Sequence, residues 1–428
     1  VLRAGPEDEQ TLAVEAVGAA LAGGRAAIVL VPEADPLPAT ASAVLEGFGD
    51  AVGLFLGGDK RGRYRMWLDI LAGRYQVVVG TRPAVFAPLR DLGLIWISRE
   101  SHPGHREERS PCYHVRDVAG ARARTENAVC VCEALCPSAE AAELEDAVHV
   151  IPAVRSWRKV EVVAPGPEGR APRLVQALRS ARTAFLFQPL RGYGVARVCR
   201  SCHEPAACAA CGGLLRQEGG RVRCTVCEAD GRCRNCGASD FGVVRGGEER
   251  VREWASALNP GAGITVGGPE AVKDVGSPGL DLVAVLDADA ASRRPGLAAK
   301  ERALAVWMEA AALARPDGRV ILQTRVTNDP AVQALVTGNP ERFHRAELPR
   351  RAAAGFPVGF PVFRVAGTAS LEQELEQLRP ASLLSTGFAD ERICLVTVRP
   401  ADIGMFGTAL RRLAERGTIT RVEAEPHL

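Results

Sequence analysis

Eight of the chain's thirteen cysteines stand in one stretch, "CRSCHEPAACAACGGLLRQEGGRVRCTVCEADGRCRNC" (199–236), as four C-x-x-C pairs: Cys199/Cys202, Cys208/Cys211, Cys224/Cys227 and Cys233/Cys236. The intervals between pairs are five, twelve and five residues, symmetric about the middle. Two thiolates at this spacing grip one tetrahedral ion, and two such pairs complete a closed four-sulfur shell of the structural zinc type. Eight cysteines therefore specify two Zn2+ sites; iron would accept the same geometry. A disulfide framework is the weaker reading. No signal peptide is recognisable, the other cysteines are scattered, and a chain of this length needs no staples.

The middle interval selects among the ways of joining four pairs into two sites. "GGLLRQEGGRVR" (212–223) places Gly219-Gly220 between two short strand-like pieces, the pattern of a hairpin. A hairpin there brings Cys208, Cys211, Cys224 and Cys227 together as a zinc ribbon. Cys199, Cys202, Cys233 and Cys236 are left as an outer site clamping the base of the insertion. This nested pairing is preferred to the sequential one, and His203 is taken as a loop residue. Two zinc tetrathiolate centres, each contributing −2, would move the formal net charge from +2 to −2, so the chain is no polycation. Nucleic-acid affinity would have to come from local patches: "DKRGRYR" (59–65), Arg99 to Arg116 with His102, His105 and His114, or Arg342 to Arg351. Because basic residues are almost all arginine, with lysine only at 60, 159, 273 and 300, coding bias explains part of their density.

The 428 residues that position these groups suffice for two or three domains. No apolar run approaches the length that spans a membrane. Buried parallel strands are expected at "RAAIVLVP" (25–32), "QVVVGTR" (76–82), "LGLIWIS" (92–98) and "NAVCVCEAL" (127–135), with helices such as 9–22 and 63–72 between them. A second series follows at "TAFLFQP" (183–189), "GITVGG" (263–268), "LDLVAVLDAD" (280–289) and "GRVILQTR" (318–325), with an Ala-rich helix over about 297–314. Beyond Pro330 the rhythm becomes strand, helix, strand, helix, strand, a small α+β unit. The expected fold class is α/β: two RecA-like lobes, 1–165 and 166–325, a two-zinc cysteine-rich insertion at 197–238 in the second, and a C-terminal α+β domain over 326–428. Cys130, Cys132 and Cys394 lie in apolar runs and are assigned to core packing. Val1 is not a methionine and stands close to a helix, so an upstream part is expected.

Across essentially the whole chain, "VPEADPLPAT" (31–40), "VVVGTRPAVFAP" (77–88), "CYHVRD" (112–117), "LRGYG" (190–194), the four-pair insertion and "VAVLDAD" (283–289) resemble the primosomal replication-restart helicases, the PriA family. That family also carries an N-terminal region, a domain for DNA 3′ ends and a winged helix, none of which is matched here. Its phosphate-cradling G-x-G-K-T corresponds to "GPEDEQT" (5–11), where Gln10 takes the lysine's place, Thr11 follows, and Glu7, Asp8 and Glu9 bring carboxylates to where phosphates would sit. The family's D-E-x-H corresponds to Ser98, Arg99, Glu100 and Ser101, without the carboxylate that anchors magnesium. Of the arginine-finger motif, aligned with "MEAAALAR" (308–315), only Arg315 remains. Pro111 stands in place of a tryptophan beside Tyr113.

The resemblance implies a replication-restart DNA-binding protein that recognises stalled, branched or single-stranded DNA and recruits replication proteins, without ATP hydrolysis and with no catalytic residues of its own. The implied partners are forked or single-stranded DNA, single-strand-binding protein and the components that load the replicative helicase, with no membrane; the implied location is the cytoplasm, at the nucleoid. Arg191, Tyr193, Tyr113 and Arg116 are the expected DNA contacts, by charge and stacking. The alternatives are an active 3′–5′ helicase whose ATP site uses other residues, and a zinc scaffold that docks proteins only.

Overall fold

The computed structural model describes the chain except residues 58, 108, 110–111, 145–146, 151–156, 167–168, 189–195, 203, 205, 211–214, 219–220, 225–226, 245–247, 275–278, 290–295, 389–390 and 425–428. The first lobe is a parallel sheet of β1 (Ala26–Leu30), β2 (Val52–Phe55), β3 (Val77–Gly80), β4 (Leu92–Ile97) and β7 (Val129–Cys132), in the order β2-β3-β1-β4-β7. Between β4 and β7 lies a small hairpin of β5 (Arg106–Glu107) and β6 (Tyr113–His114). β1, "AAIVL", is buried at every position because helices cover both faces, as a central parallel strand requires. Its side chains alternate. Ala27 and Val29 face α1 (Pro6–Ala22) and α2 (Ala39–Phe48), whereas Ile28 and Leu30 face α3 (Lys60–Leu71) and α4 (Val115–Glu126). Pro6 opens α1, where its missing N–H costs nothing, and Asp59 caps α3 by accepting a 2.7 Å hydrogen bond from the Gly62 amide.

The second lobe repeats the plan with β8 (Val160–Val163), β9 (Thr183–Phe187), β14 (Gly263–Gly267), β15 (Leu280–Val285) and β16 (Ala314–Gln323), ordered β14-β9-β15-β16-β8 and parallel throughout. The intervening strands belong to the cysteine-rich insertion: β10 (Ala196–Cys199) with β13 (Phe241–Val244), and β11 (Leu215–Glu218) with β12 (Arg221–Cys224), both antiparallel.

Two expected boundaries move. Val160–Val163, placed within 1–165 on sequence, pairs with β16 and is therefore an edge strand of the second lobe. The helices Pro330–Thr337 and Pro340–Ala353, placed within 326–428, bury Ala331, Val332, Leu335 and Phe343 in the second lobe's core against Phe185, Val283 and Leu322. Gly338 joins these helices at φ +63°, and an added Cβ would meet the Trp157 ring at 2.4 Å, so only glycine fits. The C-terminal unit begins at β17 (Val362–Thr368) and continues with β18 (Ser382–Phe388), β19 (Glu391–Thr397) and β20 (Ile419–Ala424), antiparallel in the order β18-β19-β17-β20. β18, "SLLSTGF", has too little alternation to stand out in sequence.

Candidate functional site

Parallel strands end on one edge of their sheet, and the chain leaving those ends builds the crevice of an open α/β fold. Here Pro32 and Glu33 follow β1, Ser98 and Arg99 follow β4, and Glu133 follows β7; across from them stand Val272, Glu309 and Leu313 of the second lobe, enclosing about 300 Å³. Gln10, in the first turns of α1, lines this cavity, while Thr11 points to solvent. Glu9 is buried, and one of its carboxylate oxygens accepts hydrogen bonds from the Thr40 hydroxyl at 2.9 Å and from the Ser98 hydroxyl. Among the described residues lining the cavity, one cation, Arg99, faces four carboxylates: Glu9, Glu33, Glu133 and Glu309.

Arg99 is spoken for. Its Nε donates to Glu309 Oε1 at 3.0 Å and its Nη2 to the other oxygen, a forked pair that joins the lobes. Its backbone sits in the left-handed region at φ +51°, with the amide donating to Glu133 Oε2 at 3.0 Å. Burial opposes the guanidinium's charge, but Glu309, assisted by Glu9, more than offsets this and holds it protonated. Glu9 is pushed up chiefly by burial, against the hydrogen bonds from Ser98 and Thr40. Glu133 is pushed well above the carboxylate range by burial and by Glu9. The cleft is acidic, burial favours protons on Glu9 and Glu133, and an ion pair spans it from one lobe to the other.

The sequence assigned the arginine-finger remnant to Arg315, and the structure corrects that. Arg315 lies in β16, paired with Asp281 at 2.5 Å and absent from the cavity wall. The stretch "MEAAALAR" instead reaches the first lobe through Glu309, six residues earlier in the preceding helix, which spacing could have flagged only with the lobe arrangement in hand. Further ties cross the same boundary. The Arg3 Nη2 donates to the Gly338 carbonyl at 2.8 Å, His344 Nε2 lies 3.0 Å from the Pro137 carbonyl, and Glu301, gripped by Arg351 at 2.6 Å, accepts from the Ala139 amide at 3.1 Å.

Arg116 is a second correction. It is not a surface cation but 8 % exposed, paired with Glu100 and donating to the Ser138 hydroxyl at 3.0 Å. Burial would raise the Glu100 carboxyl; the Arg116 guanidinium outweighs that and holds it below the carboxylate range. His105 and His114 are driven by burial to about 4 and about 3, so both are neutral at pH 7. The Arg99–Arg116 segment is thus no basic patch, and Arg351 is equally buried. Tyr113 is half-buried with its ring edge-on to Phe86 at 5.3 Å. Arg191 and Tyr193 lie outside the described residues.

In the insertion, the sulfurs assemble in the nested order. Cys199, Cys202, Cys233 and Cys236 form one cluster; Cys208, Cys224 and Cys227 form another, with every ligand atom of a cluster within 4.8 Å of the others. Cys211 and His203 lie outside the described residues. Sγ–Sγ separations are 3.4 Å for Cys199–Cys236, 3.6 Å for Cys202–Cys233 and 3.7 Å for Cys208–Cys227. A disulfide would need about 2.05 Å, whereas the edge of a zinc tetrathiolate with bonds of about 2.3 Å is about 3.8 Å. The donor set therefore fits a tetrahedral thiophilic ion. β11 and β12 pair from Leu215↔Cys224 to Glu218↔Arg221, the hairpin expected around Gly219-Gly220, and an isolated bridge sets Cys208 opposite Cys233. Among the described residues, the module's buried apolar core besides the cysteines is Ala206, Leu215 and Phe241.

The site thus belongs to a two-lobed protein: two parallel α/β lobes face each other across a crevice, and a cysteine-rich module is set into the second. No family model matches the chain. Among curated proteins it is 34 % identical over 412 residues to the probable replication restart protein PriA of Mycobacterium leprae, 31 % over 396 residues to that of Treponema pallidum, and 25 % over 400 residues to that of Bacillus subtilis. The chain belongs to the PriA family of replication restart proteins. These alignments take in 85 %, 80 % and 80 % of the chain but 63 %, 60 % and 50 % of the respective relatives. A solved DEAD box protein of Methanococcus jannaschii aligns with TM-score 0.31 and 9 % identity over 73 % of this chain and 77 % of its own, too distant to carry an argument. No helix of the described residues is long and apolar enough to cross a membrane.

Proposed function

We propose that the chain serves replication restart as a non-hydrolysing member of its family, binding branched or single-stranded DNA and docking other replication proteins. The observation carrying this reading is the cleft: among the described residues its one cation is forked onto Glu309, and carboxylates occupy the ground where a triphosphate would need hydrogen-bond donors and positive charge. Phosphoryl transfer depends on preorganised positive charge. Without it, the lobes act as a rigid scaffold.

Two Zn2+ ions complete the insertion, one held by Cys199, Cys202, Cys233 and Cys236, the other by Cys208, Cys211, Cys224 and Cys227. Closed thiolate shells leave no open position for chemistry, so both ions are structural. Forked DNA, single-strand-binding protein and helicase-loading components are the proposed partners, by analogy with what the family name implies. Arg191, Tyr193 and Tyr113 are the proposed DNA contacts; Arg116 supports the local fold instead.

DNA binding and ATP turnover measured on one zinc-loaded sample test this. Fork binding that weakens steeply with salt, with no DNA-stimulated ATP hydrolysis, is the expected result. Stimulated turnover would establish the active helicase; no binding even at low salt would leave the protein scaffold.

A further inference from the structure

Of the three basic segments, Arg99–Arg116 is largely consumed by internal ion pairs and Arg342–Arg351 gives up Arg351 to Glu301, whereas the first two turns of α3 keep all their cations exposed and, unlike either, set them around an exposed tyrosine. Lys60, Arg61, Arg63 and Arg65 are all exposed, and among the described residues none of the four makes an ion pair or a side-chain hydrogen bond. The carboxylates nearby are engaged elsewhere: Asp59 caps the helix on the Gly62 amide, and Asp69 pairs with Arg74 at 3.2 Å. Tyr64 stands among the cations with 64 % of its surface exposed, followed one turn on by Leu68 at 43 %.

Helical spacing sorts this segment into two stripes. Met66, Trp67 and Ile70 turn inward, Trp67 against Phe55 at a ring separation of 6.4 Å, and anchor the helix. Arg61, Tyr64, Arg65 and Leu68 form the opposite stripe. No packing demand explains an outward tyrosine bracketed by unpaired arginines, and four neighbouring cations without counter-charges repel one another. Such an arrangement suits a polyanion with flat apolar faces. Its position agrees: α3 follows β2, so its start lies on the same sheet edge as the cleft, two strand spacings from β1 in the order β2-β3-β1, or about 10 Å.

We infer that the exposed face of α3 is a nucleic-acid contact, in which Arg61 and Arg65, with Lys60 and Arg63 beside them, bind consecutive phosphates of a single strand while Tyr64 stacks on a base. This rests on the DNA-binding function proposed above and names a surface for it outside the cleft and the cysteine module.

The full zinc-loaded chain is titrated with labelled oligothymidylate at several salt concentrations, as wild type, Arg61→Glu/Arg65→Glu, Tyr64→Ala, and Arg411→Glu/Arg412→Glu as a charge-matched control at remote exposed helix positions. The double reversal is expected to weaken binding at least about tenfold and to flatten the slope of log K against log salt by about 1.4, two phosphate contacts at about 0.7 each. Tyr64→Ala should weaken binding about fivefold to a hundredfold with the slope unchanged. The control should leave both nearly as they were. Wild-type binding with variants that match it overturns this inference alone, as does an α3 effect on anionic vesicles or acidic peptides without one on DNA. Absence of wild-type binding at low salt overturns the DNA-binding function and this inference with it. Unchanged far-ultraviolet circular dichroism and melting temperature of the variants, whose altered side chains all point to solvent, separate lost contacts from lost folding.

Discussion

The cleft and the cysteine module hold their shape by opposite means. Around the cleft, each lobe owes its fold to a five-stranded sheet buried on both faces, so the side chains at the strand ends are free to change without unfolding anything. There, on the function proposed above, the phosphate cradle and magnesium anchor are lost while the architecture persists. In the module, among the described residues, cysteines are most of the buried core, and Ala206, Leu215 and Phe241 add little beside them. A unit of that size cannot bury enough apolar surface to stand alone. Its chemistry and its fold are the same residues, which is why the cysteine pattern is complete while the ATP-site pattern is not.

Metal removal is the sharpest way to break this contrast. A structural zinc site contributes roughly 10–16 kcal/mol of apparent binding free energy that appears as folding. Chelation of a chain carrying two zinc ions should expose 199–236 to proteolysis and hydrogen exchange while the lobes keep their protection. Uniform loss across the chain, or no loss in the module, would refute the distinction.

Next in size is the buried pair beneath the cleft. Arg116→Ala strands the fully buried Glu100 carboxylate, and leaving such a charge unpaired costs about 3–5 kcal/mol. A clear drop in melting temperature is expected. Were Arg116 a DNA contact instead, the variant would melt normally and lose affinity.

A smaller effect concerns pH. Because burial raises Glu133 and Glu9, the folded chain binds protons there that the unfolded chain releases. Their contribution is therefore greatest at or below the ordinary carboxylate range and is lost as pH rises through the raised values. Glu100, held low, behaves oppositely and loses its contribution only on acidification below that range. Glu133→Gln keeps an acceptor for the Arg99 amide but cannot ionise, and should flatten the fall in melting temperature as pH rises above the ordinary carboxylate range by about 2–4 °C. An unchanged pH profile would mean that Glu133 is not protonated in the fold.

The smallest expected effect is also informative. Gln10→Lys restores the cation of the phosphate cradle, yet Glu9, Glu133 and the Arg99–Glu309 pair remain. No DNA-stimulated ATP turnover should appear, and its appearance would show that a single charge, not the whole cleft, silences the site.

Much of this was legible in the residues. Apolar runs such as "AAIVL" and "LGLIWI" locate the parallel strands because a strand buried on both faces has no polar side to show. Gly219-Gly220 between alternating pieces announces the hairpin, and the hairpin dictates which cysteines meet. Short, weakly patterned β18 escaped, and the reassignment of the helices at 330–353 depended on which core received Leu335 and Phe343.

By itself, then, the sequence determined the alternation of strands and helices, the two sets of cysteines and the run of carboxylates at residues 7–9 that opens the first helix, all properties of residue type at short spacing. Only the tertiary structure decided that Arg99 meets Glu309, that Arg116 is spent on Glu100, and that among the described residues the cations of α3 make no ion pair. Pairing between charges is set by distances across the fold, to which positions 210 residues apart in the chain, such as 99 and 309, give no local clue.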